Sequence, residues 1–138
     1  MNILIIDKFP VFRKGLSCYL KDRFATACIQ EASDPRSVPV KYLASGVALV
    51  FLGVNGRARC GNKNAIAKIR SRYSGAKLII YDENAELILG LSYLKFGSHA
   101  YVSKKAALSE LNQCLVNLLA GKRYISKEVF NVASMCVN

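Results

Sequence analysis

The chain has 138 residues, 52% of them apolar and 21% charged, with 20 basic against 9 acidic side chains for a net charge of +11. This length points to a single domain, and so apolar a composition excludes a disordered chain. No apolar run reaches the ~20 residues that a membrane-spanning helix needs, and MNILIIDKFP has no basic stretch ahead of a long apolar one, so neither a membrane segment nor a signal peptide is expected and the expected location is cytoplasmic.

In chain order, Ile3-Leu4-Ile5-Ile6 is a continuous apolar run, as in a strand covered on both faces. Pro10 suits the first turn of a helix, and Val11, Phe12, Gly15, Leu16, Tyr19 and Leu20 follow at helical spacing. A weaker strand, 26–31, comes next, and 35–44 predicts a helix that Pro39 keeps short or irregular. Val47 to Leu52 is a second fully apolar strand, followed by a Gly-, Asn- and Arg-rich loop from Gly53 to Asn64 and a helix carrying Ile66, Ile69 and Tyr73. Lys77 to Tyr81 predicts a strand, Leu87, Leu91 and Leu94 a helix stopped by Gly97, and Ala100 to Ser103 a short strand. A last helix carries Leu108, Leu111, Leu115, Leu118 and Leu119 and ends at Gly121. Five β-α repeats argue an α/β domain: a five-stranded parallel sheet with helices on both faces. The periodic leucines Leu87, Leu91 and Leu94 are assigned to the core, while Tyr93, Phe96 and Tyr101 are candidates for partial exposure.

Five cysteines without a CxxC pair and a single histidine, His99, supply no local zinc set. Their odd number in a cytoplasmic context favours buried or half-buried free thiols over disulfides. His99, in the turn before the Ala100 strand, is read as exposed rather than catalytic. The charge is unevenly placed: no acidic residue lies between Asp34 and Asp82, whereas Arg36, Lys41, Arg57, Arg59, Lys63, Lys68, Arg70, Arg72 and Lys77 do. Such a block is either a solvated face or a contact surface for nucleic acid or an acidic protein, with Arg57, Arg59, Lys63, Arg70 and Arg72 the candidate contacts.

In sheets of this kind the chemistry lies beyond the carboxyl ends of the strands, which singles out Asp7, Lys8, Gly53, Asp82, Ser103 and Lys104. The segments IDKFPVFRKGL, QEASD, VALVFLGVNG, LKFGSHAYVSKKA and LLAGKRYIS, in this order, resemble a response-regulator receiver domain, CheY-like in fold, and more narrowly the receivers of NarL/LuxR-type transcriptional regulators. The resemblance spans the chain from Asn2 to about Glu128 and implies a flavodoxin-like strand order 2-1-3-4-5. It also implies a site in which an acidic pair after the first strand holds Mg²⁺ beside a phospho-accepting aspartate. A Thr or Ser and a Lys, ending the fourth and fifth strands, contact the phosphoryl group.

Position by position, Asp7 matches the first acid, but Lys8 stands at the second and Gly53 at the acceptor. Asp82, or its neighbour Tyr81, falls at the Thr/Ser position; Lys104 matches the lysine and Tyr101 the aromatic whose rotamer reports activation in many receivers. A glycine cannot carry a phosphoryl group, and an ammonium in place of a carboxylate disfavours a hard cation. The resemblance so amended implies a pseudo-receiver with no phosphorylation site, no metal and no other cofactor. In it Lys8 is a counter-charge to Asp7 and Asp82 and Lys104 pairs with Asp82, or else the pocket has merely drifted to exposed pairs.

The function expected is a non-phosphorylatable regulatory and dimerisation domain, 1–121, of a LuxR-type regulator. Residues 122–138 are then an extension toward a linker and a helix-turn-helix DNA-binding domain outside this chain. A homodimer is expected, DNA is reached through that further domain, and neither a membrane nor an enzymatic activity enters. The alternative is a stand-alone binding module that uses the basic 57–77 stretch.

Overall fold

The computed structural model describes residues 1–39, 46–55, 59–127 and 129, the side chains of 59 and 60 excepted. The apolar runs become strands β1 (Asn2–Ile6), β3 (Val47–Val54) and β4 (Lys77–Asp82), joined by β2 (Cys28–Ala32), β5 (Ala100–Ser103) and β6 (Tyr124–Ile125). All pair in parallel in one sheet of order β2-β1-β3-β4-β5-β6. The expected order 2-1-3-4-5 holds for the first five strands; the sheet has six, not five. The sixth follows the last helix closely, where Tyr124 N–H donates to His99 O and Ser126 N–H to Tyr101 O.

The helices are α1 (Pro10–Arg23), α2 (Arg59–Arg72), α3 (Leu87–Phe96) and α4 (Leu108–Leu119), with a 3₁₀ turn at Pro35–Ser37. Successive strand residues face opposite sides, so the core has two layers. Leu4, Ile6, Val50, Leu52, Leu78 and Ile80 pack with Ile66 and Ile69 of α2 and Leu89 and Tyr93 of α3. Ile3, Ile5, Leu49, Phe51, Ile79 and Tyr81 pack with Leu16 and Leu20 of α1 and Leu111, Leu115 and Leu118 of α4. Burying a side chain such as Ile or Leu contributes about 1.5–3 kcal/mol, and these strands bury theirs on both faces.

Several boundaries differ from the sequence expectation. Gly53 lies inside β3, paired with Tyr81 of β4, and α2 begins at Arg59. Asn62, a loop former by composition, sits in α2 because its side-chain amide donates to Asn55 O (3.2 Å) and Tyr93 Oη (3.1 Å). Only Pro35–Ser37 of the expected 35–44 helix is seen, capped by Asp34, and 40–45 lie outside the described residues. In α3 it is Leu89, Gly90 and Tyr93 that face inward, while Leu91 is 52% exposed. Tyr93 and Tyr101 are fully buried and only Phe96 of the three aromatics is exposed. Cys114 is a buried free thiol, its pKa pushed up to about 12 by burial and then by Glu110. Cys18 and Cys28 are exposed rather than buried. Among the described residues no helix is long and apolar enough to cross a membrane.

Candidate functional site

The ends of β1, β3 and β5 bring Asp7, Gly53 and Lys104 to the rim of a cavity of about 90 Å³, also lined by Lys8, Asn55, Asn62 and Glu83. Asp7 is buried at 2% exposure because its backbone continues the strand, its N–H donating to Ala32 O at 3.0 Å. Its carboxylate then has two partners. Phe9 N–H donates to Oδ1 at 2.8 Å, and Lys104 Nζ donates to Oδ2 at 2.6 Å. The lysine ammonium also lies over aromatic rings, with Nζ 4.4 Å from the Phe12 centroid and 5.3 Å from that of Phe9. Arg13 closes the arrangement from α1 by donating to Asp7 O.

The contact that defines the site is with Gly53. A Cβ placed on Gly53 would stand 1.7 Å from Asp7 Oδ2 and 2.6 Å from Asp7 Cγ. The carboxylate of Asp7 therefore occupies the space into which any side chain at 53 would project. This close approach is open only to glycine.

Asp82 belongs to a different cluster. It is fully buried, Oδ2 accepting from Tyr101 Oη at 2.6 Å and Oδ1 from Asn84 N–H at 3.0 Å. Tyr101 Oη also accepts from Glu86 N–H at 2.9 Å. Burial and then the bond to Asp82 raise the Tyr101 pKa, so the phenol stays protonated and donates. Neither lysine pairs with Asp82: Lys104 is held by Asp7, and Lys8 is exposed with no ion-pair partner among the described residues. The expected pairing of the Lys8 and Lys104 ammonium groups with the Asp82 carboxylate fails because Tyr101 Oη holds Oδ2; Lys104 meets Asp82 through the backbone, its N–H donating to Asp82 O at 2.9 Å. Tyr81, the other candidate for this position, turns to the opposite layer and stacks edge-on with Phe12 at 5.6 Å.

Mg²⁺, which the resemblance to receiver domains implies at such a site, takes six oxygens and needs carboxylates free to coordinate. Here Asp7 is spent on Lys104 and Phe9 N–H, and Lys8 and Gly53, where that resemblance expects further acids, offer no carboxylate. These residues do not fit the cation. Among the described residues no three His, Cys, Asp or Glu side chains group to hold a metal.

Of the basic candidates, Arg57 lies outside the described residues, as does the side chain of Arg59. Lys63 sits over the Phe96 ring at 4.7 Å, Arg70 donates to Ala76 O at 3.1 Å and Arg72 to Pro35 O at 3.4 Å. All three project from α2, but toward different neighbours.

Three residues with structural roles escape a sequence reading. Gly90 is one: a Cβ there would lie 2.6 Å from the Tyr101 ring, so this glycine makes the slot for the buried tyrosine. Its signal was a glycine inside an otherwise leucine-rich helix, a costly choice unless space is needed. Glu110 is another, with Oε1 accepting from Tyr124 Oη (3.1 Å), Ser126 Oγ (2.7 Å) and Lys127 N–H (2.6 Å). His99 is the third. Half-buried rather than exposed, it accepts from Leu78 N–H through Nδ1 at 3.0 Å.

The α/β fold, a parallel sheet with two of the described helices on each face, is shared by solved structures of response-regulator receiver domains. A two-component response regulator of the LuxR family from Aurantimonas sp. is 24% identical, covers 99% of this chain and 98% of its own, and superposes with a TM-score of 0.78. The isolated receiver domain of RcsB from Salmonella enterica serovar Typhimurium, with the phosphomimetic BeF₃⁻, is 18% identical over 95% of this chain and 96% of its own, TM-score 0.77. RcsB in complex with DNA gives a TM-score of 0.79 at 18% identity, covering 95% of this chain and 66% of its own. By sequence, the transcriptional activator protein ExaE of Pseudomonas putida is 24% identical over 127 residues, 92% of this chain. The chain spans 59% of the length of that curated relative. No protein-family model matches the chain.

Proposed function

We propose that this chain is a receiver-like regulatory and dimerisation domain of a LuxR-type transcriptional regulator, and that it is not switched by aspartyl phosphate. One observation carries the reading: the Asp7 carboxylate, held by Lys104 at 2.6 Å, fills the space above Gly53 where a phospho-accepting side chain would stand. An acyl phosphate needs a carboxylate nucleophile with positive charge at hand for the transferred group. In this site the lysine that would supply the charge is already neutralised, and the acceptor is a bare backbone. The pocket thus holds in permanent form an anion–cation contact that phosphorylation would otherwise make and break.

The wider reading follows from the relatives. RcsB is described as dimers bound to DNA, and ExaE as a transcriptional activator. By analogy this domain forms a homodimer in the cytoplasm, and the extension 122–138, whose Tyr124–Ile125 completes the sheet of the domain, leads on to a helix-turn-helix domain that binds DNA. Incubation with acetyl phosphate and Mg²⁺, followed by intact-mass measurement, tests the chemistry. The unmodified mass is expected, and a phosphoryl adduct overturns the reading. Light scattering at tens of micromolar is expected to give a dimer; a monomer removes that part alone.

A further inference from the structure

The molecule's charge is segregated as well as high. Every acidic residue of the chain lies outside 35–81, and within that stretch the described cations Arg36, Lys63, Lys68, Arg70, Arg72 and Lys77 form no ion pair among the described residues. Three of them share one face. Lys68 and Arg72 stand one turn apart on the exposed side of α2, and Arg36 projects from the neighbouring 3₁₀ turn, which is tied to α2 by Arg72 donating to Pro35 O. Between the turn and the helix runs a groove of about 430 Å³, whose lining includes Arg36, Asn64 and Lys68. Asp34 also borders it, but its Oδ1 is turned to the N–H groups of Arg36 and Ser37, where it caps the turn.

What else lies on this face identifies the partner. The outer stripe of α2 reads Gly61, Asn64, Ala67, Lys68, Ser71 and Arg72, all exposed. None of the exposed large apolar residues is on α2 or the 3₁₀ turn. Protein interfaces are anchored by buried aromatic or aliphatic side chains, and single-strand binders by stacking aromatics; among the described residues this face has neither. Cations interspersed with Asn and Ser donors are what a sugar–phosphate backbone requires.

We propose that the face formed by α2 and the 3₁₀ turn is a contact surface for the phosphate backbone of duplex DNA. Arg36, Lys68 and Arg72 neutralise phosphates and Asn64 and Ser71 donate hydrogen bonds to them, without reading base sequence. The proposal stands apart from the phosphate-independent regulation above, since it uses no residue of that pocket.

Binding of the chain to a random-sequence duplex, measured by fluorescence anisotropy across a salt series, tests it. Three phosphate contacts predict a slope of about −2.7 in log K against log salt, or about a 40-fold loss of affinity between 50 and 200 mM. The triple variant Arg36→Gln, Lys68→Gln, Arg72→Gln is expected to abolish that slope. Lys68→Gln alone, at a position with no ion-pair partner among the described residues, is expected to reduce it by about 1. A control of equal charge change, Lys21→Gln, Lys105→Gln, Lys122→Gln, is expected to leave it in place. The proposal is overturned if the control weakens binding as much as the triple variant, or if no duplex binding occurs at 50 mM salt. Polyglutamate held as tightly as DNA at equal salt also overturns it, in favour of an acidic protein partner.

Discussion

At the scale of single residues, three side-chain decisions in the site are interlocked: no side chain at 53, a carboxylate at 7 and an ammonium at 104. Lys104 has 11% of its side chain exposed and Asp7 1%, so the pair is close to fully buried and its worth lies in both members being present. Asp7→Ala leaves the ammonium among Phe9 and Phe12 without its anion, and a loss of about 3 kcal/mol is expected. Gly53→Ala forces a methyl against Asp7 Oδ2 and is expected to cost about 1–3 kcal/mol through overpacking. In the Asp7→Ala background the same methyl enters vacated space and should cost little, so the two changes couple by about 1–3 kcal/mol. Urea denaturation of the wild type, both single variants and the double variant measures that coupling. Strict additivity would mean that the carboxylate does not occupy the space above Gly53.

At the scale of elements, the C-terminal edge of the sheet depends on one acceptor. β6 has only two residues, too few to persist on ladder bonds alone, and Glu110 of α4 gathers Tyr124, Ser126 and Lys127 onto a single oxygen. Ser126 is fully buried and Val129 is 3% exposed in the core layer shared with α3, so the segment is anchored on both sides of that carboxylate. Glu110→Ala removes the acceptor from all three donors. We expect amide hydrogen exchange at 124–127 to accelerate at least tenfold while β1, β3 and β4 keep their protection; uniform loss of protection would show that Glu110 supports the whole fold instead. The same edge shows what could be read from the chain and what could not. β1, β3 and β4 were legible because a strand buried on both faces must be apolar at every position. β6 was not, since Tyr-Ile between a glycine turn and a serine has no period to detect. Strand-end positions 7, 53, 82 and 104 were legible by place. Their pairing was not, because it depends on which way each side chain leaves its strand: Asp7 toward Lys104, 97 residues away, and Asp82 toward Tyr101. In α3, apolar residues occupy nearly the whole circumference, so leucine spacing could not tell Leu91 from Leu89; Gly90, under the Tyr101 ring, marks the true inner face.

At the scale of the whole molecule, a net charge of +11 opposes compaction by self-repulsion, and acidification adds to it. His99 adds a titration of its own. Its pKa is lowered from 6.5 to about 4, first by burial and then by Arg70, Lys77 and Arg123 around it. Between pH 6.5 and 4 the unfolded chain binds a proton at this residue that the folded one refuses, so unfolding is favoured as pH falls. The stabilisation contributed by neutral His99 is complete above pH 6.5 and lost as pH falls toward 4. Protonation also puts a hydrogen on Nδ1, which accepts from Leu78 N–H and helps to tie the start of β4 to the turn before β5. The thermal midpoint is therefore expected to drop between pH 7 and pH 4.5. In His99→Asn, whose amide oxygen can accept from Leu78 N–H without titrating, the drop should be smaller. Added salt separates the two origins. At 0.5 M the Debye length is well under 10 Å, so general repulsion between surface cations is screened in both proteins. The lost Nδ1 bond is a local contact that salt does not restore, and the difference between wild type and His99→Asn at pH 4.5 should persist. Differential scanning calorimetry of both proteins at two pH values and two salt concentrations measures each component, and a difference that vanishes at high salt would assign the whole pH dependence to net charge.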